Sequence, residues 1–453
     1  MSAFATRQPT KLVELTGGKG VAMASPVPAE TAAAGYVERE YAAAGTATAY
    51  RADGGLTSEG RWTFEAASTA PYRTRIVVRR PAADADFSGT AVVEWLNVSS
   101  GQDADVVWAN NHEEITRRGH AWVGVSAQLI GVQGGPVLAS TVEGATARGL
   151  VGTDPERYDS LVHPGDGFAF DLFTQAARAV RAGTLLGGLV PRLVLAAGQS
   201  QSAYALVTYI NGVEPLVRRL FDGYLLHSRG LGALNLAAPG QPAGLHELEA
   251  TSPKLIRVDT AAPVLIVQAE GDLTHVLNSL GSRQDDTQTV RTWEVAGAAH
   301  ADRHTIGPFA DLLGCGVDVN DAPMHVVVKA ALRALETWVR DGTPPATSPR
   351  IETSGGEVVR DADGIALGGI RTPPVDVPVD VLSGVPGPNP SVICQLFGST
   401  IALPAERVAA LYSSRDEYLA RFEAATGRLI AAGFALPEER DALLGHAQPD
   451  RIG

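Results

Sequence analysis

Residues 192–211 read RLVLAAGQSQSAYALVTYIN: an apolar run, then Gly198-Gln199-Ser200-Gln201-Ser202, then a segment of helical period. A serine on a sharp strand-to-helix turn exposes its hydroxyl at the top of a sheet, and crowding there demands small residues two positions to either side. Gly198 and Ser202 meet that demand. So short a pattern arises easily by chance in a chain rich in Gly and Ser. Its weight comes from being the only such match here, and from falling where a buried strand gives way to a helix. A serine hydroxyl is inert at neutral pH unless a base takes its proton, and that base is in turn oriented by a carboxylate. On such an elbow the partners follow in the order acid, then histidine.

The acid is expected just past the apolar run Pro263-Val-Leu-Ile-Val-Gln268, where the chain supplies Glu270 and Asp272. The length of a tight turn favours Asp272, and the longer reach of a glutamate speaks for Glu270, so both stay in play. The base is expected in the loop after the last strand, where Trp293-Glu-Val-Ala-Gly-Ala-Ala ends in His300. Acyl transfer also needs two preorganised N–H donors for the developing oxyanion. One is expected from the backbone of Gln201, directly after the serine. The other is expected from the turn Asn97-Val98-Ser99-Ser100-Gly101, at Asn97 or Val98. His304 with Asp302 could begin a metal site, but no further ligand stands at a recognisable spacing, so no metal and no cofactor are expected. The remaining histidines have ordinary structural readings, although His227 closes a central strand on the side where a pocket would lie.

These residues need a scaffold. Thr90–Asn97, Ala121–Ser126, Arg192–Ala197, Gly223–His227 and Pro263–Gln268 are short apolar runs, as expected of strands buried on both faces, and Thr292–Ala296 ends the series. Helical-period segments at Trp108–Arg118, Phe168–Ala182, Ser202–Ile210 and His325–Arg340 alternate with them or follow the last. That alternation predicts an α/β fold with a doubly wound, mostly parallel sheet. Residues 34–80 instead alternate like half-exposed antiparallel strands. Two connections, 126–166 and 230–260, are far longer than usual and leave the carboxyl edge of the sheet. Together with part of the C-terminal tail they are expected to form the walls or lid of the pocket over Ser200, with apolar residues such as Leu129, Val137, Leu138, Leu234 and Leu245 making it suit a hydrophobic ester. A core over 1–341 is then followed by a Pro-rich linker and by a C-terminal extension, 342–453, with a hairpin around Gly355-Gly356 and Asp363-Gly364 and a helical tail, packing on that core.

Composition sets outer bounds. The 453 residues are 45% hydrophobic and 19% charged, without an uninterrupted apolar run of membrane-spanning length, so neither disorder nor a membrane span is expected. The net charge of −13 argues against a nucleic-acid partner. Two cysteines, Cys315 and Cys394, are too few for a disulfide framework and leave a single pair undecided. No secretory leader is evident at the N-terminus, which gives a cytoplasmic expectation. Oligomeric state is left open.

With these residues in view, the chain resembles the α/β-hydrolase superfamily. Within it, Val93-Glu-Trp-Leu-Asn-Val, Ala197-Gly-Gln-Ser-Gln-Ser, Val267-Gln-Ala-Glu-Gly-Asp, Trp293-Glu-Val-Ala-Gly-Ala-Ala-His-Ala-Asp and Gly368-Gly-Ile-Arg-Thr-Pro are similar to a bacterial "alpha/beta hydrolase domain-containing protein" family, across nearly the whole chain. The resemblance implies the α/β-hydrolase fold and a serine triad, and says little about substrate. Ser202 departs from the glycine usual at that position. The expectation is a serine esterase acting through an acyl-enzyme on Ser200 on a small hydrophobic ester. Lactone hydrolysis, amide hydrolysis or acyl transfer would use the same triad, and a non-catalytic binding protein on the same scaffold is the alternative from another class.

Overall fold

In a computed structural model the described residues are 7–24, 34–138, 140, 144–217, 219–244 and 252–453. The apolar runs form strands β4 (Thr90–Trp95), β5 (Ala121–Val125), β6 (Leu193–Gln199), β7 (Gly223–His227), β8 (Val264–Ala269) and β9 (Val290–Val295). They are preceded by β1 (Lys11–Glu14) and by two long strands, β2 (Tyr36–Ala52) and β3 (Phe64–Pro81). All nine join one sheet in the order β1-β2-β3-β5-β4-β6-β7-β8-β9. The six from β5 through β9 run parallel, and β1, β2 and β3 pair antiparallel at one edge. The α/β-hydrolase fold expected from the sequence is borne out, and the antiparallel edge accounts for the alternating pattern of residues 34–80.

The apolar runs are explained by what covers them. Along β4, Ala91, Val93 and Trp95 pack with α2 (Ala169–Arg181) and α3 (Gln201–Thr208), whereas Val92 and Leu96 pack with α1 (Val106–Arg117) and α4 (Met324–Asp341). With helices on both faces neither side of a central strand can be polar. Glu94 is the exception. Its buried carboxylate accepts from the N–H groups of Val107 and Trp108, at the start of α1, and from Trp122 Nε1, at 2.8 to 3.0 Å. It therefore serves the orphan donors at a helix N-terminus that has no capping side chain of its own.

Beyond α4, the short strands Thr353–Ser354 and Glu357–Val358 pair around Gly355-Gly356, and β10 (Asp380–Ser383) pairs antiparallel with β11 (Ser399–Ala402). Between those two lies the short helix α5 (Val392–Leu396), and after them the longer α6 (Arg415–Ala431). Ile351, Ile365, Leu382, Leu429, Phe434 and Leu443 bury their side chains in the same cluster as α1, α4 and the sheet. Phe434 meets Trp293 edge to face, with ring centroids 5.0 Å apart. Cys315 and Cys394 form a disulfide, tying the chain after His300 to α5. Two cysteines 79 residues apart reveal nothing of their proximity from spacing. Disulfides persist mainly in oxidising compartments, so the pair weighs against the cytoplasmic expectation. Among the described residues no helix is long and apolar enough to cross a membrane.

Candidate active site

The elbow forms where β6 meets α3. Ser200 lies between them at φ 58° and ψ −124°, in a region where a non-glycine residue is strained. Three features hold it. Its N–H donates to His227 O on neighbouring β7 at 2.9 Å. A Cβ at Gly198 would lie 2.9 Å from Ser202 O, so only glycine fits there. Ser202 Oγ accepts from Gln199 N–H at 3.0 Å and donates to Gln199 O at 2.8 Å. The serine in place of the usual glycine thus staples the last strand residue to the first helical turn.

Gln199 is further held by side chains from the turn after β4 and from α1. Its carbonyl accepts from Asn97 Nδ2 at 2.9 Å and its Oε1 from Asn110 Nδ2 at 3.0 Å. Gln201 Nε2 donates to Gln128 Oε1 at 2.6 Å, which also accepts from Trp95 Nε1. This buried amide network was not foreseen. Its only sequence signal is the polar residues Gln199, Gln201 and Gln128, at or just past the ends of apolar strands.

Ser200 Oγ stands 2.9 Å from His300 Nε2, and His300 Nδ1 stands 2.7 Å from Asp272 Oδ1. The second Asp272 oxygen accepts from Ala269 N–H at 2.6 Å, fixing the carboxylate. Glu270 does not reach the imidazole. It turns the other way, accepting from Gly297 N–H at 2.8 Å, from Arg360 Nη2 at 2.6 Å, and from Ser383 Oγ and Gly384 N–H. Of the two competing carboxylates the geometry brings Asp272 to the histidine, while Glu270 ties the His300 loop to the C-terminal extension. Asp302 caps the short helix Arg303–Ile306 through Thr305 N–H. His304 stacks on His325 with ring centroids 3.7 Å apart. Buried His227, whose pKa burial pushes down to about 4, holds a neutral ring near Asp272 and His300 and is not among the described cavity-lining residues.

The oxyanion donors need one correction. Asn97 is not available as a backbone donor, because its N–H already donates to Ala104 O at 3.0 Å, closing the 97–104 loop on itself. Its side chain instead steadies the elbow. Val98 N–H faces Gln201 Oε1 at a long 3.4 Å. Gln201, first residue of α3, keeps a backbone N–H with no acceptor within the helix.

A cavity of about 570 Å³ opens over Ser200 and His300. Its described lining includes Leu138, Val276, Ile306, Phe309, Ile393 and Leu396, and contains no Asp, Glu, Lys or Arg. The walls differ from expectation. The first long connection, 126–166, contributes Leu138, but no described residue of 230–260 lines the cavity, and Leu245 lies outside the described residues. Residues 230–244 and 252–260 pack away from it instead: Gly240 N–H donates to Pro164 O, Ala243 N–H to Asp166 and Leu255 N–H to Ser58 O. The rest of the wall comes from 301–313 and from α5, in the C-terminal region expected to contribute, and the Cys315–Cys394 disulfide and the bond from Ala301 N–H to Leu396 O hold the two together.

The sheet order and the strained serine between β6 and α3 define an α/β hydrolase. The family described as alpha/beta hydrolase domain matches residues 7–445, and the chain belongs to it. No protein of curated function matches the sequence. Among solved structures the chain is similar to an α/β serine hydrolase without a lid from Xanthomonas campestris, at 13% identity, covering 63% of this chain and 94% of that one with a TM-score of 0.31. It is also similar to a putative dienelactone hydrolase from Klebsiella pneumoniae, at 14% identity, covering 66% and 98% with a TM-score of 0.33. Fungal esterases from Rhizomucor miehei are similar at 13% identity, covering 66% and 85% with a TM-score of 0.33.

Proposed function

We propose that this hydrolase cleaves neutral, apolar carboxylic esters through an acyl-enzyme on Ser200. The observation that carries the reading is the unbroken chain from Ser200 Oγ through His300 to Asp272, at 2.9 and 2.7 Å, on the floor of the cavity. His300 Nε2 takes the hydroxyl proton as Ser200 attacks the ester carbonyl, and Asp272 holds the tautomer that leaves Nε2 free to accept. The oxyanion is received by Gln201 N–H and by Val98 N–H, the latter exchanging its long contact with Gln201 Oε1 for the stronger acceptor. His300 returns the proton to the leaving alcohol, and a water activated by the same imidazole releases the acid. Substrate class follows from the lining. A charged acyl or alcohol group would be desolvated against apolar side chains without a counter-charge.

A panel of p-nitrophenyl esters of graded acyl length, run beside lactones, anilides and esters carrying a carboxylate, tests the reading. Neutral aliphatic esters should be turned over with the highest kcat/KM, and a carboxylate on the acyl chain should lower it strongly. Preference for charged esters, or for anilides over esters, would sink it.

A further inference from the structure

Among the described residues, the loop leaving β7 carries a buried cation that forms no ion pair. Arg229, two residues past His227, is 2% exposed. Its Nε donates to Gly230 O at 3.2 Å and its Nη2 to Lys254 O, while Nη1 is buried with no hydrogen-bond partner. Among the described residues no carboxylate forms an ion pair with it, and the one titratable side chain that acts on it is the phenol of Tyr204. Lys254, 8% exposed, spends its ammonium on Leu56 O and Ser252 Oγ. Glu294 lines the same cavity, but Arg283 already grips both its oxygens at 2.9 and 2.8 Å, Ile351 N–H binds it, and Arg350 approaches it at 3.4 Å.

A small cavity of about 20 Å³ is lined by Arg229 and, among others, by Gln268, Ser279, Ser282, Arg283 and Glu294. Ser279 Oγ and Gln268 Oε1 are buried there without partners. That volume is room for one occupant the size of a water molecule. Two species compete. A water would satisfy Nη1 and Gln268 Oε1 but leave the charge uncompensated, and a buried charge without its partner costs several kcal/mol. A monatomic anion removes that penalty and takes hydrogen bonds from Arg229 Nη1 and the Ser279 hydroxyl. Burial lowers the guanidinium pKa only to about 10, so it keeps its charge at neutral pH.

We propose that this cavity binds one monatomic anion, chloride or bromide, between Arg229 and Ser279. Its occupant anchors the turn after β7, whose His227 carbonyl holds the Ser200 N–H, so the site stiffens the floor under the elbow. The test is thermal unfolding of the full chain at constant ionic strength in sodium chloride, sodium bromide or sodium gluconate, with bromide-soaked crystals read by anomalous diffraction. The expected result is a Tm that rises with halide over gluconate in proportion to the logarithm of concentration, as specific binding requires. An anomalous peak beside Arg229 Nη1 should accompany it. Arg229→Met should remove the halide dependence. Should that variant fail to fold, Ser279→Ala keeps the test open, with the halide concentration needed for a given Tm gain rising about tenfold for one lost hydrogen bond. Equal Tm in chloride and gluconate with no bromide peak, meaning a water only, would overturn the proposal. Halide dependence retained in folded Arg229→Met, or unshifted in Ser279→Ala, would overturn it equally.

Discussion

Asp272→Asn and Glu270→Gln separate two buried carboxylates that stand two residues apart. In the native site Asp272 Oδ2 accepts from Ala269 N–H at 2.6 Å while Oδ1 faces His300 Nδ1 at 2.7 Å. Asparagine offers one acceptor oxygen, and only that oxygen can meet the Ala269 donor. Its NH₂ therefore turns to His300 and makes Nδ1 an acceptor. The ring proton moves to Nε2, which then points N–H at Ser200 Oγ across 2.9 Å and has no lone pair to take the serine proton. The same exchange in a chymotrypsin-type protease lowers kcat about 10⁴-fold. At 1.36 kcal/mol per tenfold this is about 5.4 kcal/mol of lost transition-state stabilisation. KM should hardly move, since Asp272 does not line the cavity. Glu270→Gln acts elsewhere. It leaves Arg360 Nη2 and three other donors with one acceptor oxygen fewer, a stability loss of about 2 kcal/mol, with kcat within tenfold of the parent. Steady-state kinetics on p-nitrophenyl butyrate, with unfolding curves for each variant, read both effects. An Asp272→Asn enzyme within tenfold of the parent, or a folded Glu270→Gln enzyme as impaired as Asp272→Asn, would rule out Asp272 as the carboxylate that orients His300.

Three further outcomes follow. Ser202→Ala strips two hydrogen bonds from the buried Gln199 backbone and should lower urea-unfolding stability by about 2 kcal/mol, whereas unchanged stability would mean the staple holds nothing. Leu396→Ala deepens the wall supplied by α5 and should move acyl preference towards longer chains, by about tenfold in relative kcat/KM for each one or two methylenes accommodated; an unaltered chain-length profile would place the acyl group elsewhere. His163, His227 and His325 have pKa values lowered by burial, so the unfolded chain binds protons near pH 6.5 that the folded chain refuses. Their contribution to stability is complete above that pH and is lost as pH falls below it, for His227 down to about 4. Burial raises Glu94 to about 8 and Glu214 to about 7, which acts in the opposite sense between pH 4.5 and 8. The readout is therefore a difference: His325→Asn should flatten the slope of stability against pH between 6.5 and 5 relative to the parent, and identical slopes would contradict it.

The sheet was legible because its central strands are covered on both faces and read as continuous apolar runs, and because the elbow needs small residues at 198 and 202. His300 was legible from chain order. The choice between Glu270 and Asp272 was not, since both sit at the end of β8 and only the direction of the turn decides which faces the imidazole. Asn97 was misread as an oxyanion donor because loop composition does not show that its N–H is already spent on Ala104. The pocket wall was misjudged at one connection for a related reason. Long connections are visible in sequence, but which of them folds back over the serine depends on tertiary partners: 230–244 is drawn to Pro164 and Asp166, while α5, from the C-terminal region expected to supply part of the wall, is held there by a disulfide that spacing cannot predict.

The central claim is that Ser200 forms the covalent intermediate. Intact-mass spectrometry after treatment with a fluorophosphonate, followed by peptide mapping, should show one adduct, carried by the peptide containing Ser200. Ser200→Ala should take up no adduct and should lose turnover of p-nitrophenyl butyrate by about 10⁴-fold or more while unfolding at close to the parent temperature. An adduct mapped to another residue, or ester hydrolysis that persists in folded Ser200→Ala, would contradict the account.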